Sequence, residues 1–186
     1  MTRMIITHLP LAGLKFITRH RLGDSRGSFS RLFCAEELAS AGWTKPIAQI
    51  NHTITPKIGT VRGMHFQQPP YSEMKLVTCL RGDIFDVAVD LRQGSPTFLS
   101  WHGEILSSAN NKAMLIPEGF AHGFQTLTDD VELLYCHSAP YAAEFEGGMQ
   151  PTDSLLGIIW PIPIAMLSKR DSGHPLLTDS FKGIPV

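Results

Sequence analysis

The chain lacks a charge excess. Lys and Arg total 16 against 17 for Asp and Glu, a formal net charge of −1 over 186 residues. This balance excludes a protein held to nucleic acid or to a membrane surface by bulk charge, because such binding scales with the phosphates neutralised. Paired arginines can still hold a small anion. A long apolar run is also missing: nothing approaches the length that spans a bilayer, and the opening MTRMIITHLP is too short and interrupted for a secretory signal. Cysteine is scarce and odd in number, with Cys34, Cys79 and Cys136 scattered through apolar contexts. That pattern predicts free buried thiols in a reducing cytoplasm, the compartment expected here, rather than a disulfide framework. Helical signals are few as well. CAEELASAGW is the clearest, with a short turn expected near TDSLLG.

What the chain does have is punctuation: 16 glycines and 13 prolines spread throughout, with no linker, repeat or low-complexity tract. One domain over 1–186 is the simplest reading of that length. Between the turn signals lie short segments rich in β-branched and aromatic residues: KFITRHRL, IAQINHTIT, TVRGMHFQ, KLVTCL, IFDVAVDLR, FLSWHGEIL, KAMLIP, FQTLT and VELLYCHSA. Eight or nine strands at roughly ten-residue spacing predict an all-β sandwich or barrel, with the barrel core over about 45–140 and residues 160–186 as an irregular tail packed on it. The concave interior of a small barrel makes a site, lined by whichever side chains the strands turn inward.

In AQINHTI a period of two puts Gln49, Asn51 and Thr53 on one face and Ile50, His52 and Ile54 on the other, which fits a solvent-facing edge as well as a polar cavity wall. Gly63 inside TVRGMHFQ predicts a bulge or a close approach that breaks the alternation there. Downstream, Pro117, Gly119 and His122 form the P-x-G-x-x-H pattern, which resembles the second half-motif of the cupin jelly rolls. The first half-motif is incomplete for metal: His65 is followed by Gln67 rather than a second histidine, and an amide carbonyl is a weak ligand for a transition metal. Glu73 follows His65 at a longer interval than the usual ligand glutamate, so it is expected to be structural and no bound metal is expected. Without metal, His65, Lys75 and Tyr135 read as a base, a cation for a developing oxyanion and a proton donor.

GDSRGSF, QINHT, TVRGMHFQ, KLVTCLRGDIFDVAVDLRQGSPTF, LIPEGFAHGFQTL, and IIWP followed by LSKRD resemble the dTDP-4-dehydrorhamnose 3,5-epimerase family, in order from about residue 13 to 171. The resemblance implies a cupin-type jelly roll and a cofactor-free epimerisation of a nucleotide-linked 4-keto-6-deoxyhexose, in deoxysugar biosynthesis of the rhamnose type. It implies His65 as the base, Asp171 as the carboxylate that holds its imidazole, Lys75 facing the enolate oxygen, and Tyr135 returning a proton from the opposite face. Arg26 and Arg62 match positions that contact the pyrophosphate. Gln49, Asn51, His122, Glu146 and Arg170 match other substrate contacts, with Arg170 where lysine is common. The partners implied are the nucleotide-diphosphate sugar and a second copy of the chain, in a homodimer that would let Arg26 and Arg31 serve the neighbouring site.

The chain departs from the family at the nucleotide end. Arg31 stands where the family has a glutamate, Pro151 where it has a tryptophan, and Thr53 where serine is usual. A charge reversal at Arg31 beside the base would allow a nucleotide carrier other than dTDP. The alternatives kept open are a 3-only or 5-only epimerase, a ketoisomerase, a metal-dependent cupin enzyme, and a non-catalytic sugar-nucleotide binder.

Overall fold

The structure, a computed structural model, describes residues 3–186. Strands dominate, and fourteen are found among the described residues. One sheet runs in the order β1 (Met4–His8), β2 (Lys15–Arg19), β10 (Lys112–Ile116), β7 (Lys75–Arg81), β12 (Val131–His137) and β5 (Gln49–Thr55). The other runs β13 (Glu146–Gly148), β6 (Thr60–Gln67), β11 (Phe120–Thr126), β8 (Asp83–Asp90) and β9 (Trp101–Ser107), with β14 (Met166–Leu167) parallel to β6. A separate hairpin joins β3 (Arg21–Asp24) to β4 (Gly27–Ser30). The helices are short, α1 (Ala35–Ala39) and α2 (Lys169–Ser172), and no helix of the described residues is long and apolar enough to cross a membrane.

The two sheets face one another as the sandwich expected from the strand spacing, in the jelly-roll form that the resemblance implied. Between them lie Phe16, Val77, Ile84, Ala88, Leu106, Met114, Phe120, Phe124 and Leu133. The outer face of the first sheet is covered by the α1 region, where Leu38 and Trp43 pack on Ile17, Leu76 and Leu115. The second sheet's outer face is covered by the C-terminal segment, with Leu156 and Ile184 against Val87, Val89 and Leu91. Burial on both faces explains why β8 carries apolar side chains in both directions, Ile84 and Ala88 inward and Val87 and Val89 outward.

Segments where the sequence signals mislead have local causes. EGFAHG reads as a turn, yet β11 begins at Phe120 and carries His122 in the ladder opposite Ala88. KFITRHRL reads as one strand, yet it is divided into β2 and β3 after Arg19. β1, β4, β13 and β14 go unmarked in the sequence because they are short and without apolar alternation.

The bulge expected at Gly63 is present. His122 pairs with His65 and Phe124 with Arg62, so Gly63 and Met64 together stand opposite Gly123. This extra residue lets Arg62 and His65, three positions apart, line the same cavity while Met64 turns into the outer core. Gly63 has φ 136°, and a Cβ there would lie 2.5 Å from Gly123 Cα and 3.0 Å from the His122 carbonyl. Gly63→Ala is therefore expected to cost about 3 kcal/mol or more from strain and overlap. The corresponding drop in melting temperature is on the order of 10 °C in a thermal melt. An unchanged melting temperature would mean that the bulge relaxes around a side chain.

Candidate active site

A cavity of about 250 Å³ opens between the sheets at one end of the roll. The first sheet supplies Gln49, Asn51 and Thr53 from β5, Lys75 from β7, and Tyr135 and His137 from β12. Arg62, His65, His122 and Phe124 come from the second sheet, and Glu146 from β13 closes one side. The ambiguity of β5 is thereby resolved. Its polar face lines the cavity, while Ile50 and Ile54, 59% and 60% exposed, face outward on the edge strand.

His65 Nε2 lies 2.8 Å from Asp171 Oδ1. An ionised carboxylate can only accept, so Nε2 carries the proton and Nδ1 keeps a lone pair for a proton acceptor's work. Asp171 is held in turn: Ser168 caps α2 by accepting from the Asp171 amide at 2.9 Å, and Asp171 Oδ2 accepts from the Gly63 amide at 3.3 Å. Burial lowers the His65 pKa below its ordinary value, and the Asp171 bond only partly offsets that. The ring is therefore neutral at neutral pH.

His174, which no sequence signal marked, lies edge-on to His65 with ring centroids 6.1 Å apart. One ligand atom each from His65, Asp171 and His174 lies within 4.8 Å of the others. Of the ligands weighed from the sequence, this group keeps His65 and replaces Gln67, Glu73 and His122 with Asp171 and His174. A metal seated there would have to displace the His65–Asp171 hydrogen bond. Gln67 is committed to the backbone, donating to the Tyr71 and Pro140 carbonyls and accepting from the Ala142 amide.

On the facing sheet Tyr135 is half-buried. Burial raises its phenol well above the usual value, the Asp86 carboxylate adds to the rise, and Arg62 and a Thr53 hydrogen bond oppose it. Tyr135 therefore keeps its proton at neutral pH. His122, whose ring lies 5.9 Å from that of Tyr135, is fixed by Asp86 at 2.7 Å. Asp86 was missed by sequence reasoning, although the alternation of β8 puts it on the inward face with Ile84 and Ala88.

Lys75 is buried, and its ammonium donates to the His65 carbonyl at 3.2 Å and meets Glu73 Oε1 at 3.2 Å. Glu73, expected to be structural, lines the cavity. It sits just before β7, two residues from Lys75, whose ammonium it meets. His137 was also missed; its signal was its place two residues beyond Tyr135 on the same strand. At the mouth Glu146 accepts from the Tyr141 hydroxyl at 2.7 Å and pairs with Arg170, which places Arg170 at the rim rather than on the lining. Those two bonds hold Glu146 below its usual pKa against the opposing effect of burial.

Two expected site residues are not brought to the cavity of their own chain. Arg26 is at the exposed tip of the β3–β4 hairpin, where it binds Asp24 at 2.6 Å. Arg31 is captured by Glu37 of α1 and does not line the cavity. Within its own chain Arg31 is thus held in a local ion pair with Glu37. Pro151 likewise lies outside the cavity, its carbonyl accepting from Trp160 Nε1 at 2.8 Å.

The family model of dTDP-4-dehydrorhamnose 3,5-epimerase matches residues 8–179. The dTDP-4-dehydrorhamnose 3,5-epimerase of Sinorhizobium fredii is 41% identical over 190 residues, covering 100% of this chain and 97% of that protein. A dTDP-4-dehydrorhamnose 3-epimerase of Streptomyces niveus is 38% identical over 178 residues, covering 95% of this chain and 86% of that protein. Among solved structures, a dTDP-6-deoxy-D-glucose-3,5-epimerase of Legionella pneumophila in complex with dTDP-4-keto-L-rhamnose superposes with a TM-score of 0.91 at 36% identity, covering 98% of each chain.

Proposed function

This chain belongs to the dTDP-4-dehydrorhamnose 3,5-epimerase family, whose members are isomerases, and from that membership we propose that it inverts C3 and C5 of a dTDP-linked 4-keto-6-deoxyhexose without a cofactor. The ketone at C4 acidifies the hydrogens on both neighbouring carbons. His65 takes one of them through its free ring nitrogen, and the electron pair left behind becomes an enolate on O4. Asp171 holds the ring and stabilises the imidazolium that forms, as a carboxylate partner does for other histidine bases. The Lys75 ammonium faces the enolate oxygen, a cation placed where charge develops rather than where it already exists. Tyr135 gives its proton to the opposite face of the carbanionic carbon, which inverts it, and solvent restores both groups.

The observation that carries this reading is the placement of His65 and Tyr135 on opposite sheets across one cavity. Arg62, Gln49, Asn51, His122 and Glu146 are the groups we assign to the nucleotide sugar, with guanidinium on pyrophosphate. The similar proteins are named for dTDP-linked sugars, and dTDP is the carrier we assign; Pro151 lies off the cavity, and Arg31 lies off the cavity of its own chain. We also assign a homodimer, in which the apolar outer face of β5 and the hairpin bearing Arg26 and the exposed Phe29 have a partner to meet.

The test is solvent-deuterium incorporation with dTDP-, UDP-, GDP- and CDP-linked 4-keto-6-deoxyglucose, read by NMR at C3 and C5 separately. Incorporation at both carbons, at least about tenfold faster with dTDP, is expected. Label at one carbon alone would reduce the activity to a single epimerisation, and no label with any carrier would overturn the epimerase reading. Equal or faster reaction with another carrier would overturn dTDP.

A further inference from the structure

Resting on the role given to Lys75 above, we propose that Glu73 and His137 are positioning residues that aim its ammonium at the substrate oxygen. A lysine ammonium is a point charge with three donors on a flexible four-carbon stem, so its direction must be imposed by neighbours. Two of the three N–H groups of Lys75 are accounted for by the His65 carbonyl and Glu73 Oε1, which leaves one for the cavity.

Glu73 would be a poor anchor if it swung or lost its charge. His137 prevents both. Its Nδ1 lies 2.8 Å from Glu73 Oε2, and all three side chains are nearly withdrawn from solvent, at 9% for Glu73, 8% for Lys75 and 10% for His137. Burial by itself raises the Glu73 carboxyl. The bonds to His137 and Lys75 outweigh it and carry the group below its usual range, so it stays ionised.

His137 is oriented in its turn. The carboxylate can only accept, so Nδ1 carries the proton, and Nε2 is left to accept from Asn51 Nδ2 at 3.3 Å. Asn51 is held by Gln49, which donates to its Oδ1 at 2.9 Å. Strand register makes the arrangement rigid, because His137 stands directly opposite Lys75 on β7 and Gln49 on β5. A continuous polar chain therefore runs from the edge strand through His137 and Glu73 to the ammonium.

The experiment is a double-mutant cycle on deuterium incorporation. Glu73→Gln keeps the shape and removes the charge; it is expected to lower kcat about tenfold to a hundredfold with KM within about threefold of the parent. In a Lys75→Ala background the same change is expected to add less than about twofold, because nothing remains to aim. His137→Ala should act like Glu73→Gln, and His137→Asn, whose amide can stand in for the Nδ1 donor, should recover most of the loss. Full multiplication of the Glu73→Gln and Lys75→Ala effects, or a rise in KM with kcat intact, would overturn positioning. A Lys75→Ala enzyme that exchanges at the parental rate would instead overturn the role of Lys75 itself.

Discussion

His65→Ala is expected to reduce both deuterium incorporation and product formation by about a thousandfold or more, toward the upper part of what loss of a positioned base costs. The cavity offers no replacement close at hand. His122 is committed to Asp86 and His137 to Glu73. Because the proton is abstracted before anything else happens, exchange and inversion should fall together. The pH profile of the parent enzyme carries the same claim. Burial lowers the His65 pKa, so as pH falls the base is lost through protonation at a pH below the ordinary histidine value of about 6.5. An acid limb of kcat/KM centred above that value would contradict the assignment of His65.

Tyr135→Phe should separate what His65→Ala loses together. With the hydroxyl gone, His65 can still form the enolate and return a solvent-derived deuteron to the face it came from. Label therefore continues to enter, while inverted product falls by about a hundredfold to a thousandfold. The phenol's pKa is raised by burial, which makes Tyr135 a donor and not a second base at neutral pH, and the asymmetry of the result follows from that. NMR of the deuterated sugar distinguishes label with retention from label with inversion. Equal loss of exchange and inversion would mean that Tyr135 is needed to form the enolate as well.

Much of this arrangement was legible before the structure. The two-residue period of β5 put Gln49, Asn51 and Thr53 together, although only the fold shows that this face is inward and the isoleucines outward. The glycine inside β6 announced the bulge, because only a residue without a side chain tolerates both the positive φ and the approach of Gly123. Other parts were illegible for physical reasons. Glu73 lies outside any strand, so no periodicity assigns its direction. His174 reaches His65 from over a hundred residues away through the packing of an irregular tail. Arg31 shows what a family position leaves out: it carries the backbone location of a residue and not its rotamer, which within this chain the nearby Glu37 decides.

The carboxylate of the dyad is carried on the tail, not on the roll. Asp171 sits on α2, beyond β14, and reaches Gly63 and His65 only when that segment lies alongside β6. During synthesis the strands of both sheets through β13 leave the ribosome before Asp171 does, so the sandwich can close around a histidine that has no partner. Competence for proton transfer would then arrive as a late event of biosynthesis, after the bulk of folding. A nascent chain whose tail has not yet docked would hold His65 without its carboxylate, with its chemistry switched off.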